Sequence, residues 1–161
     1  MVLRRIVLRV LSGCGGDQRS RATETNVDDS LLNGVRILAI DDHIDARESL
    51  STLLEQFGAC VSTAGSAAEA LAVLPQVKPE ILIVDIGLPD EDGYSLLKRV
   101  RALPLREGGQ IPAVALTGFT REQDRRMAAS VGFQRHLAKP VNIEELLSTL
   151  KHLVELQRGF D

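Results

Sequence analysis

The sequence predicts an α/β fold, a doubly wound parallel sheet with helices on both faces, and three observations carry that prediction. Short apolar runs of strand length alternate with longer stretches of helical periodicity, giving five strand–helix units in strict order. Two of the runs, Val35–Ile40 (broken only by Arg36) and Ile81–Val84, are almost wholly apolar, as expected for strands covered on both faces. The helical stretches open on recognisable start signals, in which a side chain satisfies the orphan amides of a first turn.

In chain order, Val35–Ile40 is the first strand. Leu50, Leu53, Leu54 and Phe57 then mark a helix by i, i+3, i+4, i+7 spacing. Ala59–Ala64 is a weaker strand, and Ser66-x-x-Glu69 reads as a capping box opening the second helix. Ile81–Val84 is the third strand, followed by a helix marked by Leu96, Leu97, Val100 and Leu103. Ala113–Leu116 is the fourth strand, and Thr120-x-x-Gln123 predicts the start of the next helix. That helix is almost wholly polar over Arg121–Arg126, so only Met127, Ala128 and Val131 are available to anchor it. His136–Ala138 is the last strand. Asn142-x-x-Glu145 opens a final helix whose apolar face is Ile143, Leu146, Leu147, Leu150, Leu153 and Val154.

The division expected from composition is a tail over 1–32, a domain over 33–157 and a short tail over 158–161. Residues 1–30 hold five Arg against four acids and turn to Gly, Ser, Thr and Asp after Leu11, which reads as linker. Val2, Leu3, Ile6, Val7, Val10 and Leu11 share one helical face, so a short basic amphipathic helix is a second reading. An export signal ending at Leu11-Ser12-Gly13-Cys14 is disfavoured, because the apolar stretch is short and Arg9 breaks it. Two cysteines, Cys14 and Cys60, are too few for a disulfide framework or a CxxC-based zinc site. A net charge of -3 has the wrong sign for a phosphate-backbone binder, and with no Trp and one Tyr there is no base-stacking platform. Nucleic acid and membrane are therefore not expected partners. Lys98, Arg99, Arg101 and Arg106 read as an ordinary wet face.

In a sheet of this kind, ligands bind beyond the carboxyl ends of the strands. The residues there are Asp41-Asp42, Asp85, Thr117-Gly118 and Lys139-Pro140, so carboxylates, a hydroxyl and an ammonium converge from four separate places in the chain. Two like charges at 4 Å cost about 4 kcal/mol at an effective dielectric near 20, so such a cluster attracts a lysine or a cation. An all-oxygen site with few protein ligands suits Mg²⁺. Helix capping is the plainer role for Asp41 or Asp42 alone. It does not account for Asp85, which ends an apolar strand and precedes a loop. Metal, lysine and hydroxyl together form a cradle for a phosphoryl group, and a carboxylate beside the metal can itself be the nucleophile. Asp85 is the best candidate for that role.

These residues, with Asp85-Ile-Gly-Leu-Pro-Asp-Glu-Asp-Gly93 between them, resemble the receiver domain of bacterial two-component response regulators, of the type found in hybrid sensor histidine kinases. The resemblance covers roughly Gly34 to Glu155. It implies a flavodoxin-like sheet in the order 2-1-3-4-5 with five helices. It implies that Asp85 accepts a phosphoryl group from a phosphohistidine on a sensor histidine kinase or a histidine phosphotransfer protein. Mg²⁺ is implied on Asp42, Asp85 and the Gly87 backbone carbonyl, with Asp41 acting through a metal-bound water. Lys139, held by a cis Lys139–Pro140 bond, is implied to pair with the phosphoryl oxygens, and Thr117 to hydrogen-bond them. The second switch position, usually Tyr or Phe, is His136 here.

Gly93 is expected to let the loop turn into the following helix. Glu91, Gly87 and Phe119 depart from the more usual residues flanking the site. The face built from the fourth helix, fifth strand and fifth helix is expected to carry the switch to a downstream protein, and a homodimer is left open. The short stretch after Lys139 suggests a stand-alone receiver or one cut from a larger protein. The lead-in Leu32–Leu38 resembles those of hybrid sensor kinases and favours a single-domain regulator of that descent, and a cytoplasmic location is expected. A phosphorylation-independent interaction module on the same fold is the main alternative. An aspartyl-nucleophile phosphatase is disfavoured, because its Asp-x-Asp pattern is missing from Asp41-Asp42-His43.

Overall fold

The computed structural model describes residues 31–118 and 121–159. The amphipathic segment 2–11, the linker 12–30, Phe119 and the cap residue Thr120 lie outside the described residues. The elements run β1 (Arg36–Ile40), α1 (Ile44–Gln56), β2 (Cys60–Ala64), α2 (Ala67–Val77), β3 (Ile81–Asp85), α3 (Gly93–Arg101), a 3₁₀ turn (Leu105–Glu107), β4 (Ala113–Thr117), α4 (Glu122–Val131), β5 (Arg135–Ala138) and α5 (Ile143–Arg158). The five strands form one parallel sheet in the order β2-β1-β3-β4-β5, so the expected topology is present.

The period-2 alternation of the strands divides the core in two. Leu38, Ile40, Leu82, Val84, Ala113 and Ala115 face one side and pack on α2, α3 and Ala128 of α4. Ile37, Ile81, Ile83, Val114 and Leu116 face the other and pack on Leu54 of α1 and on Leu146, Leu150, Leu153 and Val154 of α5. This split follows from handedness. Parallel crossovers are right-handed, so reversing the direction of travel between β1→β2 and β2→β3 moves the connecting helix to the opposite face. Leu32, in the turn before β1, is fully buried in the second cluster.

Two of the three predicted capping boxes place their cap residues correctly. Ser66 Oγ accepts from the Glu69 amide at 3.1 Å, and Asn142 Oδ1 accepts from the Glu145 amide at 3.0 Å. The residue before α4 is Arg121, whose own side chain makes no capping bond, and the bond predicted from Thr120 falls outside the described residues. Asn142→Ala should lower stability by about 1 kcal/mol, read as a lower urea midpoint with an unchanged slope.

The fourth helix differs from its predicted anchoring. Met127 is 52% exposed, while Ala128 is buried and Val131, half-buried, packs against the core as expected. Polar contacts from α3 take Met127's place. Tyr94 Oη donates to the Asp124 carbonyl at 3.3 Å, and the Tyr94 ring meets Phe133 edge-on. Arg101 is not on a wet face. Its guanidinium donates to the Gly109 carbonyl at 3.1 Å and the Gly132 carbonyl at 2.9 Å, tying α3 to the loop before β4 and to the corner after α4.

Candidate functional site

Because every strand is parallel, all the carboxyl ends reach the same edge of the sheet. β3 lies at its centre and is buried along its whole length, so Asp85 projects from the middle of that edge. Asp41 follows β1, with its amide on the Ala64 carbonyl at 3.1 Å. Lys139 follows β5, with its amide on the Thr117 carbonyl at 2.8 Å, and the Lys139–Pro140 bond is cis.

The side chains meet there. Lys139 Nζ lies 3.0 Å from Asp85 Oδ2 and 3.2 Å from Asp41 Oδ2, bridging two carboxylates that are almost fully enclosed. Asp85 Oδ1 accepts the Gly87 amide at 3.0 Å. Asp41 Oδ1 accepts the His43 amide at 2.9 Å. Asp42 Oδ1 is buried and makes no hydrogen bond, although His43 Nδ1 stands 3.1 Å away. One ligand atom from each of Asp41, Asp42, His43 and Asp85 falls within a span of 4.8 Å. Two of the three carboxylates thus share one ammonium, and a buried oxygen of the third lacks a donor. A cation satisfies both deficits, so the donor set fits a hard divalent ion.

The electrostatics agree. Burial alone would raise the Asp41 carboxyl, but the His43 amide and the Lys139 ammonium outweigh it, and the net displacement is downward. Burial would lower Lys139. The hydrogen bond to Asp85 and the charges of Asp41 and Asp85 reverse that, and the ammonium is held above its ordinary value. The two signs give the pH dependence. Asp41 contributes stability that is complete above its ordinary 3.8 and is lost as pH falls through its lower folded value. Lys139 contributes stability that is complete below its ordinary 10.5 and is lost as pH rises through its higher folded value. Urea midpoints measured across pH should therefore fall at both extremes, and Lys139→Met should flatten the alkaline decline.

Neither Asp41 nor Asp42 caps α1, whose cap residue is His43, so the capping role is not theirs. Thr117 is buried at the same edge, ending β4. His136 is not at the rim. It pairs with Ala115, two positions back from Thr117, and lines a cavity of about 600 Å³ with Arg125, Glu145 and His152. Its Nε2 is enclosed without a hydrogen bond, and burial, reinforced by Arg125 and opposed by Asp124, lowers its basicity.

Gly93 matters for a different reason than expected. Its φ is not left-handed. A Cβ there would stand 2.8 Å from the Asp85 carbonyl oxygen, so the residue permits close approach of two backbones. Glu91 pairs with Arg99. Sequence reasoning missed three supporting residues. Arg47 Nη1 donates to the Asp41 carbonyl at 2.8 Å from one turn into α1, a cation whose spacing alone was a usable signal. Asp90 accepts the Ala67 and Ala68 amides at 3.2 and 3.1 Å and fastens the β3–α3 loop to the start of α2, a long-range contact with no local signal. His43 closes the outer side of the acidic group and was legible only as the residue after Asp42.

Comparison with known proteins agrees with this geometry. The family model for the response regulator receiver domain matches residues 37–151. An uncharacterized 14.6 kDa protein in the sodA1 3′ region of Leptolyngbya boryana is 44% identical over 111 residues, covering 69% of this chain and 83% of that protein. The virulence transcriptional regulatory protein PhoP of Salmonella typhimurium is 34% identical over 125 residues, 78% of this chain but 54% of PhoP. Hybrid signal transduction histidine kinase D of Dictyostelium discoideum is 30% identical over 141 residues, 84% of this chain and 9% of the kinase. Among solved structures, the chemotaxis protein CheY4 of Vibrio cholerae superposes with a TM-score of 0.69 at 32% identity, covering 74% of this chain and 98% of CheY4. A CheY-like receiver domain protein from Methanospirillum hungatei gives 0.72 at 27% identity, covering 80% and 100%. On the match of its fold, its sequence and its acidic edge, the chain belongs to the response regulator receiver domain family.

Proposed function

We propose that the chain is a phosphoacceptor in a two-component phosphorelay, with Asp85 as the residue modified. The observation that carries this is the Lys139 ammonium, bridging Asp85 and Asp41 beside the unsatisfied oxygen of Asp42. In this reading an Asp85 carboxylate oxygen attacks the phosphorus of a phosphohistidine on a sensor histidine kinase or histidine phosphotransfer protein. The P–N bond breaks, and its electron pair leaves with the imidazole nitrogen, which is reprotonated. Asp42, Asp85 and the Gly87 carbonyl would hold Mg²⁺, with Asp41 acting through a water, and the ion would supply charge neutralisation at the phosphoryl oxygens. Lys139 pairs with those oxygens after transfer, and Thr117 turns its hydroxyl toward them. This pull on the β4–α4 loop biases α4, β5 and the His136 surface, where a downstream protein reads the state. The hybrid kinase relative supports a kinase partner. The family is one of signalling domains, which fits a phosphoacceptor role.

Incubation with acetyl phosphate and Mg²⁺ should add one phosphoryl group that hydroxylamine removes, read by intact-protein mass. Absence of that mass gain would favour the phosphorylation-independent interaction module. Lys139→Ala should retain metal-dependent uptake but lose the coupled change at His136, followed as its side-chain NMR shifts with and without phosphodonor. If the His136 shifts still move in that variant, Lys139 does not link the two regions.

A further inference from the structure

The acidic edge carries a donor that its three carboxylates do not explain. His43 is the cap residue of α1, and its amide bond to Asp41 Oδ1 at 2.9 Å fixes its backbone over the cluster. Its ring is 73% exposed, yet Nδ1 turns inward, 3.1 Å from Asp42 Oδ1 and 3.3 Å from Asp41 Oδ1. Those separations match the edge between neighbouring ligands around a divalent ion, about 3.0 Å for bonds near 2.1 Å in octahedral geometry. The edge is also divided. Lys139 holds the Oδ2 atoms of Asp41 and Asp85, whereas Nδ1 approaches the Oδ1 atoms of Asp41 and Asp42. The ammonium and the imidazole therefore sit on different sides of the carboxylates, and the oxygen without a hydrogen bond, Asp42 Oδ1, is on the imidazole side.

We propose that His43 supplies an imidazole nitrogen to the cation site and shifts its selectivity from Mg²⁺ toward transition divalent ions such as Mn²⁺ and Co²⁺. This rests on the reading of the acidic edge as a cation site. An oxygen-only set favours neither class strongly, and Mg²⁺ gains little from exchanging a water for imidazole. First-row transition ions bind imidazole well, with affinity rising from Mn²⁺ to Co²⁺. The plainer role for the ring is a hydrogen bond from Nδ1–H to Asp41 Oδ1, which leaves ion preference unchanged.

The test uses the full chain, as wild type and His43→Ala. The ring is exposed and makes no side-chain cap bond, so the variant retains the fold, checked by circular dichroism. Calorimetric titration with Mg²⁺ and Co²⁺ should show the Co²⁺ preference falling roughly tenfold or more in the variant, with Mg²⁺ affinity within about twofold. Electron spin echo modulation of bound Mn²⁺ should show a directly coordinated nitrogen in wild type and none in His43→Ala. An unchanged Co²⁺ to Mg²⁺ ratio without nitrogen coupling, in protein that still binds Mg²⁺ and phosphorylates, overturns the ligand role alone. Failure of wild type to bind any of the three ions or to accept a phosphoryl group overturns the cation site and this inference together.

Discussion

Asp85→Asn will take up no phosphoryl group from acetyl phosphate, and without Mg²⁺ it will be more stable than the wild type. The first effect is chemical, since an amide oxygen carries no anionic lone pair to attack phosphorus. The second follows from counting charges. Asp85 faces two like charges within 4.8 Å, each costing about 3.5 kcal/mol at an effective dielectric near 20. Its one ion pair among the described residues is with the Lys139 ammonium at 3.0 Å, about 5.5 kcal/mol on the same scale; Lys139 retains Asp41 when Asp85 is neutralised, and an Asn oxygen can still accept the Gly87 amide. The difference favours Asn by about 1.5 kcal/mol. Added Mg²⁺ should reverse the order, because the ion stabilises only the state that binds it. Urea unfolding of both proteins with and without Mg²⁺, beside a mass measurement after phosphodonor treatment, checks the pair of signs. Label on the Asn variant would remove Asp85 from its assigned role. A wild type more stable than the variant in chelator would show that repulsion does not dominate the edge.

Gly93→Ala should cost about 2 kcal/mol, an unusually large loss for adding one methyl group at a helix start. The methyl would meet the Asp85 carbonyl oxygen at 2.8 Å and the Ile86 Cα at 3.0 Å, both backbone atoms that cannot swing aside. The Gly93 amide also donates to the Ile86 carbonyl at 2.9 Å, so relief by separation would break a second contact. The displaced segment is the one behind the Asp85 carboxylate, and cation affinity should fall with stability. Gly87→Ala is the control. Its added carbon would lie 3.7 Å from Asp85 Oδ1, an ordinary contact, and its stability should remain within about 0.5 kcal/mol of wild type. Equal losses in the two variants, measured by urea midpoint, would contradict the close-approach account.

The strands and the site were legible in the sequence because both are written in local runs. Ile81–Val84 is uninterrupted and buried on both faces, and each residue proposed for the edge follows its strand directly. Ser66 and Asn142 announced their helices because the capping bond spans three residues. What escaped depends on distant partners. Arg101 resembles its exposed neighbours in sequence, and only the Gly109 and Gly132 carbonyls bring it inside. Met127 was the largest apolar residue on its helix and points outward, because Tyr94 and Arg101 hold α4 through polar contacts instead. Lys78 ends α2 in the left-handed conformation usually given to glycine, with Pro75 inside the preceding turn, and neither local rule foretells that pairing.

Arg101 has one more consequence. Its guanidinium is a donor only, and it is charged at every pH the protein meets, so nothing can substitute for its carbonyl partners from within the same side chain. That one group joins the end of α3, the segment before β4 and the corner after α4. Those three segments are expected to open to solvent together when that link is broken.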